Sequence, residues 1–525
     1  MSHEQISPSA ERPPATLELD DTPLTIDRLD SVWGRPLDLR VADTVWARIE
    51  QCRRHVETIV RSGKTVYGIN TGIGSLCRTV IPPEQIDALQ ERIILSHAVG
   101  VGPPIPDDIA RWMLLFKIHA LGLGHSGVHR ATVECALALL NHDLLPVIPS
   151  QGSLGASGDL APLAHMVLPM IGRGEVRCDG RTIDVASSLG DDGIAGTGIH
   201  PIRLGAKEGL ALINGTQFMT AYGAALLVRG RRALKAADVI AAMSLEALQG
   251  SIQPFDERLH NLRPHPGAVA TAANMRRLLA GSEILESHAD CDRVQDPYSL
   301  RCVAAVHGAT RDAVQHATQM IETDINAVTD NPIILDAETA ISGGNFHGQP
   351  LALALDYLGI ALAELAGISE RRTYLLLLGK DGLPECLIED TGINSGFMLA
   401  HYTAAALVSE NKVLAHPASV DSIPTSLGQE DHVSMGAHAA TKAWRIMDHV
   451  ETVLAIEMMC ATHGLDFRAP LKPGIGPRVA HQVVREQVDH ATVDRLYNQD
   501  MQACLTLLRS QRVVQSVESA LGALE

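Results

Sequence analysis

Long runs of helical periodicity in the second half of the chain limit its fold more than any other feature. Leu351, Leu355, Leu358, Leu362 and Leu365 recur at spacings of three and four residues, which places them on one face of a helix. Comparable patterns extend over 233–249, 268–281, 302–323, 350–378, 397–415 and 436–463. Long helices with short connections predict a mainly α protein, built as a large elongated helical bundle.

Composition restricts both the core and the partners. The sequence is 46% hydrophobic but only 3% aromatic, so aliphatic side chains must supply most of the core. Asp and Glu number 61 against 43 Lys and Arg, and the formal net charge is −18. This charge disfavours binding to the phosphate backbone of a nucleic acid.

The cysteines and the apolar segments bear on the compartment. Nine cysteines are scattered singly without a CxxC pair, which is typical of a reducing compartment. We see no basic segment followed by an apolar run of the signal-peptide kind, and no uninterrupted apolar stretch long enough to span a bilayer. These features predict a cytoplasmic protein that does not bind membranes.

The first half of the chain has shorter elements. Residues 1–23 are polar and proline-rich, which predicts a mobile N-terminal tail. Helices are predicted over 41–61, 89–95, 107–123, 131–140 and 207–227, and a short hairpin over 177–182. His119, His125 and His129 lie in this part of the chain. Scattered surface histidines are the favoured interpretation over a metal cluster, because no Cys, Asp or Glu completes a ligand set.

A glycine-rich run from Gly152 to His165 contains three consecutive small residues, Ala156, Ser157 and Gly158. Glycine allows the backbone to fold back sharply. If the Gly158 nitrogen attacks the Ala156 carbonyl and water leaves, a five-membered ring closes. Loss of the Ser157 hydroxyl as a second water then produces 4-methylidene-imidazol-5-one (MIO), a strong electrophile. The residues permit this cyclisation.

Two further interpretations of the run are weaker. A phosphate-binding loop would need a Gly-Lys-Ser/Thr sequence, which the run lacks. A hydrolase nucleophile elbow needs G-x-S-x-G, whereas residues 155–159 read G-A-S-G-D. A plain structural loop stays open on this stretch alone.

Six motifs together resemble those of the aromatic amino acid ammonia-lyases and aminomutases. They extend from about Val66 to Met435 and read Y-G-I-N-T-G at 67–72, A-S-G at 156–158, L-I-N-G-T at 212–216, Q-D-P-Y-S-L-R-C at 295–302, G-G-N-F-H at 343–347 and Q-E-D-H-V-S-M at 429–435. The resemblance implies the fumarase/aspartase-like superfamily fold, with an MIO-bearing domain at 24–230 and helical regions at 231–525. It also implies a homotetramer with active sites shared between subunits.

The resemblance also assigns roles to residues. Tyr67, which in isolation is more typical of a core aromatic, becomes the base that removes the β-proton of the substrate. Asn214 contacts the cofactor and the substrate amine, and Arg301 binds the substrate carboxylate, for which its planar fork is suited. Gln295 and Tyr298 lie close to the cofactor, with Tyr298 as a second catalytic residue. In the GGNFH motif, Phe346 lines the cofactor pocket.

Two positions indicate an imidazole substrate. Ser96 and His97 match the Ser-His pair of the histidine branch, where the tyrosine and phenylalanine branches carry His-Leu and Phe-Leu. Glu430 stands where those two branches generally have Gln, and a carboxylate can accept an imidazole N–H. The resemblance therefore implies non-oxidative elimination of ammonia from L-histidine to give trans-urocanate, without metal, pyridoxal phosphate or nucleotide.

Three residues depart from the histidine branch near the implied pocket. They are Lys380, Glu385 and His401, which replace an apolar residue, a proline and a glutamine. An added cation keeps open an ergothionase-like lyase, acting on a thio-histidine betaine, in which Lys380 faces the sulfur; a solvent-exposed loop lysine is the simpler interpretation. A tyrosine or phenylalanine ammonia-lyase, an aminomutase and a catalytically dead helical scaffold also stay open.

Overall fold

The computed structural model describes residues 13–76, 78–289 and 293–525. The chain divides into two compact units. The first comprises Met1–Val228, Thr318–Leu355 and Pro417–Thr441, and the second comprises Arg229–Ala317, Asp356–His416 and Lys442–Glu525. The domain boundary between residues 230 and 231 stays a prediction.

Helices dominate the described chain, which confirms the mainly α fold. The α-helices are α1 (Ile26–Val32), α2 (Asp43–Ser62), α3 (Ile86–His97), α4 (Asp107–Gly122), α5 (Arg130–Asn141), α6 (Leu160–Val167), α7 (Val185–Ser188), α8 (Glu208–Ile213), α9 (Gln217–Ala247), α10 (Glu257–Leu262), α11 (Pro266–Leu278), α12 (Glu283–Ser287), α13 (Tyr298–Arg301), α14 (Val303–Ile325), α15 (Gln349–Leu376), α16 (Met398–Leu414), α17 (Gly436–Asp466), α18 (Ile475–Arg485), α19 (Tyr497–Arg509) and α20 (Arg512–Leu521). Short 3-10 helices span Gly74–Leu76, Pro83–Gln85, Leu168–Ile171, Gln253–Phe255 and Ser426–Gly428.

The strands are short and lie in the first unit. They are β1 (Ala15–Leu19), β2 (Leu37–Val41), β3 (Val101–Pro104), β4 (Leu145–Pro146), β5 (Pro149–Gln151), β6 (Glu175–Cys178), β7 (Arg181–Asp184), β8 (Leu189–Gly190), β9 (Gly193–Ile194), β10 (Ile333–Ile334) and β11 (Ala340–Ile341). The antiparallel pair β6–β7 confirms the predicted hairpin. It continues into β4 as a three-stranded sheet.

The predicted tail is wrong over its second half. Strand β1 pairs in parallel with β2, and Ala15, Leu17 and Leu19 are buried on one face. Alternating apolar residues give this strand a buried face despite the flanking prolines. Residues 1–12 lie outside the described residues.

Helix α4 lies in the core of the first unit. Every residue from Ile109 to Gly122 is buried. A helix that is apolar on nearly all sides fits only where neighbouring elements surround it. Its one buried lysine, Lys117, therefore stands out.

The predicted helix over 207–227 is interrupted. Helix α8 ends at Ile213 and α9 begins at Gln217, with Asn214 in an extended conformation and Gly215 at φ +134°. An L side chain rarely adopts that φ angle, so Gly215 permits the break. The interruption exposes backbone groups of residues 214–216 to contacts outside the helix.

One described helix, α15, is long and apolar enough to cross a membrane by length and composition. Of its apolar window, 67% is buried inside the protein. Asp356 and Glu364 interrupt its apolar sequence. Extensive burial is typical of a core helix, and α15 carries the leucine repeat that predicted the bundle.

Candidate active site

The three small residues pack directly against the break between α8 and α9. Ser157 and Gly158 both have positive φ angles, 53° and 76°. A Cβ on Gly158 would lie 2.1 Å from the Gly215 carbonyl oxygen, so only glycine allows this approach. The Asp159 nitrogen donates to the Gly215 oxygen at 2.7 Å, and the Gly215 nitrogen donates to the Ser157 oxygen at 3.4 Å. Backbone hydrogen bonds thus hold the run on both sides of Gly158.

Two buried amides flank this contact. The Asn214 Nδ2 donates to the Asn331 carbonyl at 3.1 Å, and the Gln217 Nε2 donates to Thr329 Oγ1 at 2.9 Å. Their carbonyl oxygens, Asn214 Oδ1 and Gln217 Oε1, are buried without a hydrogen-bond partner among the described residues. A buried acceptor without a donor is costly, and is common where a ligand supplies the missing contact.

Asp159 links the run to the start of α9. Its carboxylate accepts from the Met219 nitrogen at 3.0 Å and from Ser153 Oγ at 3.1 Å. Complete burial raises the pKa of Asp159 to about 7. Sequence reasoning placed Asp159 within the motif but gave it no role; its position directly after the glycine was the available signal.

Tyr67 lies on a tight loop of the same unit. Its half-buried hydroxyl accepts a hydrogen bond from the Gly74 nitrogen at 3.2 Å. Gly68 has φ +70°, and a Cβ there would lie 2.5 Å from Leu210 Cδ2 on α8. Asn70 bridges the loop, accepting from the Val66 nitrogen at 2.8 Å. The loop is therefore shaped by close packing on α8.

Ser96 and His97 form the C-terminal end of α3. The Ser96 hydroxyl donates to the Ile93 carbonyl at 3.1 Å, and His97 Nδ1 lies 2.8 Å from the same oxygen. A carbonyl accepts only, so a neutral His97 ring carries its proton on Nδ1 and presents Nε2 as an acceptor.

Glu430 and Phe346 lie on connections within the first unit, and both are half-buried. Thr425 Oγ1 donates to Glu430 Oε2 at 3.0 Å, and a backbone bridge joins the same two residues. Next to Phe346 and Glu430 in sequence, the rings of His347 and His432 stack with centroids 6.0 Å apart. The GGNFH and QEDHVSM motifs are thereby brought together.

The second unit carries Gln295, Tyr298 and Arg301. Gln295 and Arg301 line a cavity of about 650 Å³. The Arg301 guanidinium lies 4.7 Å above the Tyr298 ring, which is 71% exposed. Arg301 Nε is buried and lacks a hydrogen-bond acceptor among the described residues. The guanidinium therefore still has an N–H donor that can bind an anionic ligand.

The residues that depart from the family pattern also lie in the second unit. Lys380 and Glu385 are exposed on the connection after α15. His401 on α16 lies with Nε2 2.7 Å from Oε1 of the buried Glu370. At position 401, where the histidine branch is expected to carry glutamine, this chain thus places a histidine next to the Glu370 carboxylate.

The three histidines of the first half each have their own contact. His119 Nε2 lies 3.1 Å from Asn326 Oδ1, and His125 Nδ1 lies 3.0 Å from the Ile334 carbonyl. His129 Nδ1 lies 2.8 Å from Glu208 Oε2. His119 is buried and His125 and His129 are half-buried, so the expectation of surface histidines is wrong for His119, whose ring packs between segments of the chain.

Comparison with known proteins identifies the family. Residues 24–486 match the family model described as aromatic amino acid lyase. The chain belongs to the aromatic amino acid lyase family. It is 49% identical over 476 residues to the histidine ammonia-lyase of Natranaerobius thermophilus, covering 90% of this chain and 93% of that protein.

Solved structures agree with this assignment. The histidine ammonia-lyase of Trypanosoma cruzi is similar with a TM-score of 0.88 and 40% identity, over 97% of this chain and 96% of that chain. Ergothionase from Treponema denticola, an ergothioneine-degrading enzyme, is similar with a TM-score of 0.87 but 27% identity, over 95% and 99% of the two chains.

Members of the aromatic amino acid lyase family generally depend on MIO. The residues present fit that group. Ala156, Ser157 and Gly158 would supply its atoms, and the close approach of Gly158 to Gly215 needs the glycine.

Proposed function

We propose that this chain is a histidine ammonia-lyase that eliminates ammonia from L-histidine to give trans-urocanate. The observation that carries the proposal is the packing of Ser157 and Gly158 onto Gly215, with both residues at positive φ angles. Identity of 49% to a histidine ammonia-lyase over most of both chains supports the substrate. MIO, formed from residues 156–158, supplies an electrophile that makes the substrate amine a better leaving group.

Tyr67 is the proposed base. Removing the weakly acidic β-proton of histidine needs a group that accepts a proton in the transition state. A free phenol has a pKa of about 10, so the site must favour the phenolate. The Gly74 N–H that points at the Tyr67 oxygen is a hydrogen bond that strengthens when the oxygen is negative.

We assign binding of the substrate carboxylate to Arg301 and binding of the substrate amine to Asn214. Arg301 has a buried Nε without an acceptor among the described residues, so a carboxylate can complete its hydrogen bonding. Asn214 Oδ1 needs a donor, and an amine supplies one. Gln295 and Tyr298 accompany Arg301 in the second unit and are assigned to the cofactor side, with Tyr298 as a second catalytic residue.

His97 and Glu430 select the imidazole. His97 presents Nε2 as an acceptor and Glu430 presents a carboxylate, so each can accept the N–H of an imidazole ring. A phenyl ring has no N–H and would leave these groups unpaired. Ser96, which donates to the same Ile93 carbonyl as His97, lies next to it at the end of α3. Phe346 is assigned to the lining of the cofactor pocket.

We also propose a homotetramer with active sites shared between subunits, in the cytoplasm. Exposed apolar side chains on α16, among them Leu399 and Tyr402 at 57% and 58% exposure, support association. Light scattering tests it, and a monomer would contradict this part of the proposal.

The substrate is tested by incubating purified protein separately with L-histidine, ergothioneine, L-tyrosine and L-phenylalanine. Each unsaturated acid is followed by its absorbance. We expect product from L-histidine at the highest kcat/KM. Product from ergothioneine alone would replace histidine by a thio-histidine betaine, and a β-amino acid product would indicate an aminomutase. No turnover of any of the four would favour the catalytically dead scaffold.

A further inference from the structure

Lys117 is a buried cation that the proposed mechanism leaves unused. It lies on α4, is 2% exposed, and has the buried apolar residues Phe116 and Ile118 as its neighbours in the chain. Its Nζ donates to the Asn214 carbonyl at 2.8 Å and to the Ala211 carbonyl at 3.2 Å. A lysine is rarely buried unless hydrogen bonds compensate for lost hydration.

These two carbonyls belong to the end of α8, where helix geometry leaves carbonyl groups without partners. Lys117 donates to the last of these carbonyls, that of Asn214, and Gly215 is the next residue in the chain. The next contacts of the chain are those of Gly215 with Ser157 and Asp159. One side chain therefore sets the position of the segment on which the three small residues rest.

A second pair of buried charges stabilises the same segment. Lys207 Nζ lies 2.6 Å from Asp330 Oδ2, and both residues are buried. Asp330, Lys207 and Asp159 are the charged groups that act most strongly on Lys117. Burial lowers the pKa of Lys117 to about 7, and an amine in either protonation state retains the two N–H donors that the two carbonyls need.

We propose that Lys117 is a positioning residue for ring closure: by holding the Ala211 and Asn214 carbonyls, it presses Gly215 against Ser157 and Gly158. This inference rests on the proposed function, because it concerns formation of MIO from residues 156–158. The role of Lys117 is therefore indirect, because its hydrogen bonds go to the Ala211 and Asn214 carbonyls. It acts through Asn214 and Gly215.

Lys117→Met separates positioning from stability. Methionine fills similar space without donors: it removes the cost of burying an ammonium, and it leaves the Ala211 and Asn214 carbonyls without their donor. The chain is made by cell-free synthesis, sampled over time, and digested, and the mass of the peptide carrying residues 156–158 is measured. We expect the rate at which this peptide loses two waters to fall about tenfold or more.

Two further variants serve as controls. Arg111→Met removes another buried cation of α4, whose partners are Asp108 and Asp143, and should lose both waters at the wild-type rate. Lys117→Arg keeps donors for both carbonyls and should recover part of the rate. If Lys117→Met does not fold, Lys117→Gln, which keeps two N–H donors on a shorter side chain, replaces it with a smaller expected loss.

The outcomes are distinct. Slowed water loss at an unchanged melting temperature, with KM for L-histidine unchanged in the cyclised fraction, supports the inference. Water loss at the wild-type rate in folded Lys117→Met overturns it, as does a lowered melting temperature with complete water loss, which is a merely structural effect. Wild-type chain that never loses two waters instead overturns the proposed function.

Discussion

Two groups of candidate catalytic residues differ in how many of their hydrogen-bonding groups find a partner within the chain. In the first unit, the run around Ser157 rests on Gly215 through backbone hydrogen bonds, and Asp159 is fully buried with its donors in place. In the second unit, Arg301 has a buried Nε without an acceptor among the described residues, and Tyr298 is 71% exposed. Hydrogen bonds within the chain hold the backbone of the first group, whereas Arg301 in the second group still has a donor for a ligand.

This difference teaches that the two tasks place different demands on a fold. Forming an electrophile from the backbone requires the polypeptide to be held before any substrate binds. Capturing a carboxylate requires a donor that is left without a partner until the substrate arrives. We therefore expect changes in the first group to act on cofactor formation, and changes in the second to act on substrate binding.

The largest effect is expected from Gly158→Ala. Its Cβ would lie 2.1 Å from the Gly215 oxygen, so the run must move away. We expect loss of cyclisation and a fall in kcat of about 1,000-fold or more. Gly180→Ala is a matched control, since Gly180 also has a positive φ, +72°, but nothing lies within 4 Å of an added Cβ. It should cost about 1 kcal/mol of stability and leave kcat unchanged.

The next largest effect is expected from Arg301→Lys. The charge remains but the planar fork is lost, so kcat/KM for L-histidine should fall about 100-fold while the two waters are still lost. Arg258→Lys, at an exposed arginine of the same unit, is the control. Incomplete cyclisation in Arg301→Lys would erase the distinction between the two groups.

A smaller effect is expected from Glu430→Gln. Thr425 can still donate to the amide oxygen, so the connection should keep its conformation. Loss of the carboxylate should lower kcat/KM for L-histidine about tenfold and leave that for L-phenylalanine unchanged or higher. Steady-state kinetics on both substrates measure the ratio, with Glu385→Gln, at an exposed residue, as control. Equal losses on both substrates would remove Glu430 from imidazole recognition.

The last effect is on stability, rather than on turnover, as a function of pH. The pKa of Asp159 is raised to about 7 in the folded protein from 3.8. A raised pKa contributes stability below the unfolded value, which is lost as the pH rises through about 7. Relative to Asp159→Asn, the wild type should therefore lose on the order of 2 kcal/mol of unfolding free energy between pH 5.5 and pH 8. Thermal unfolding at both pH values measures this difference, and a constant difference would contradict the raised pKa.

Much of the helical fold could be predicted because its signals are local. The leucine spacing that predicted a helix over 350–378 corresponds to α15, and the hairpin at 177–182 corresponds to β6–β7. Strand β1 was missed because its pairing partner, β2, lies about twenty residues later and the prolines around it suggested a tail. The break at Gly215 was missed because α8 and α9 share one apolar pattern.

The residues of the candidate site also divide into those with a local sequence signal and those without one. Residues 156–158 and Arg301 could be named because they lie in recognisable motifs. The buried charged residues around this run could not be predicted. Lys117, Lys207, Asp159 and Asp330 are far apart in sequence, and only the fold brings them together. A lysine between the apolar residues Phe116 and Ile118 was the one local signal for Lys117.

The most direct measurement is the mass of the proteolytic peptide that carries Ala156, Ser157 and Gly158, taken from active protein. We predict that the wild-type peptide is lighter than its sequence by two waters, and that Ser157→Ala shows neither this loss nor turnover of L-histidine. A wild-type peptide of full, unreduced mass in protein that releases ammonia from L-histidine would contradict the account.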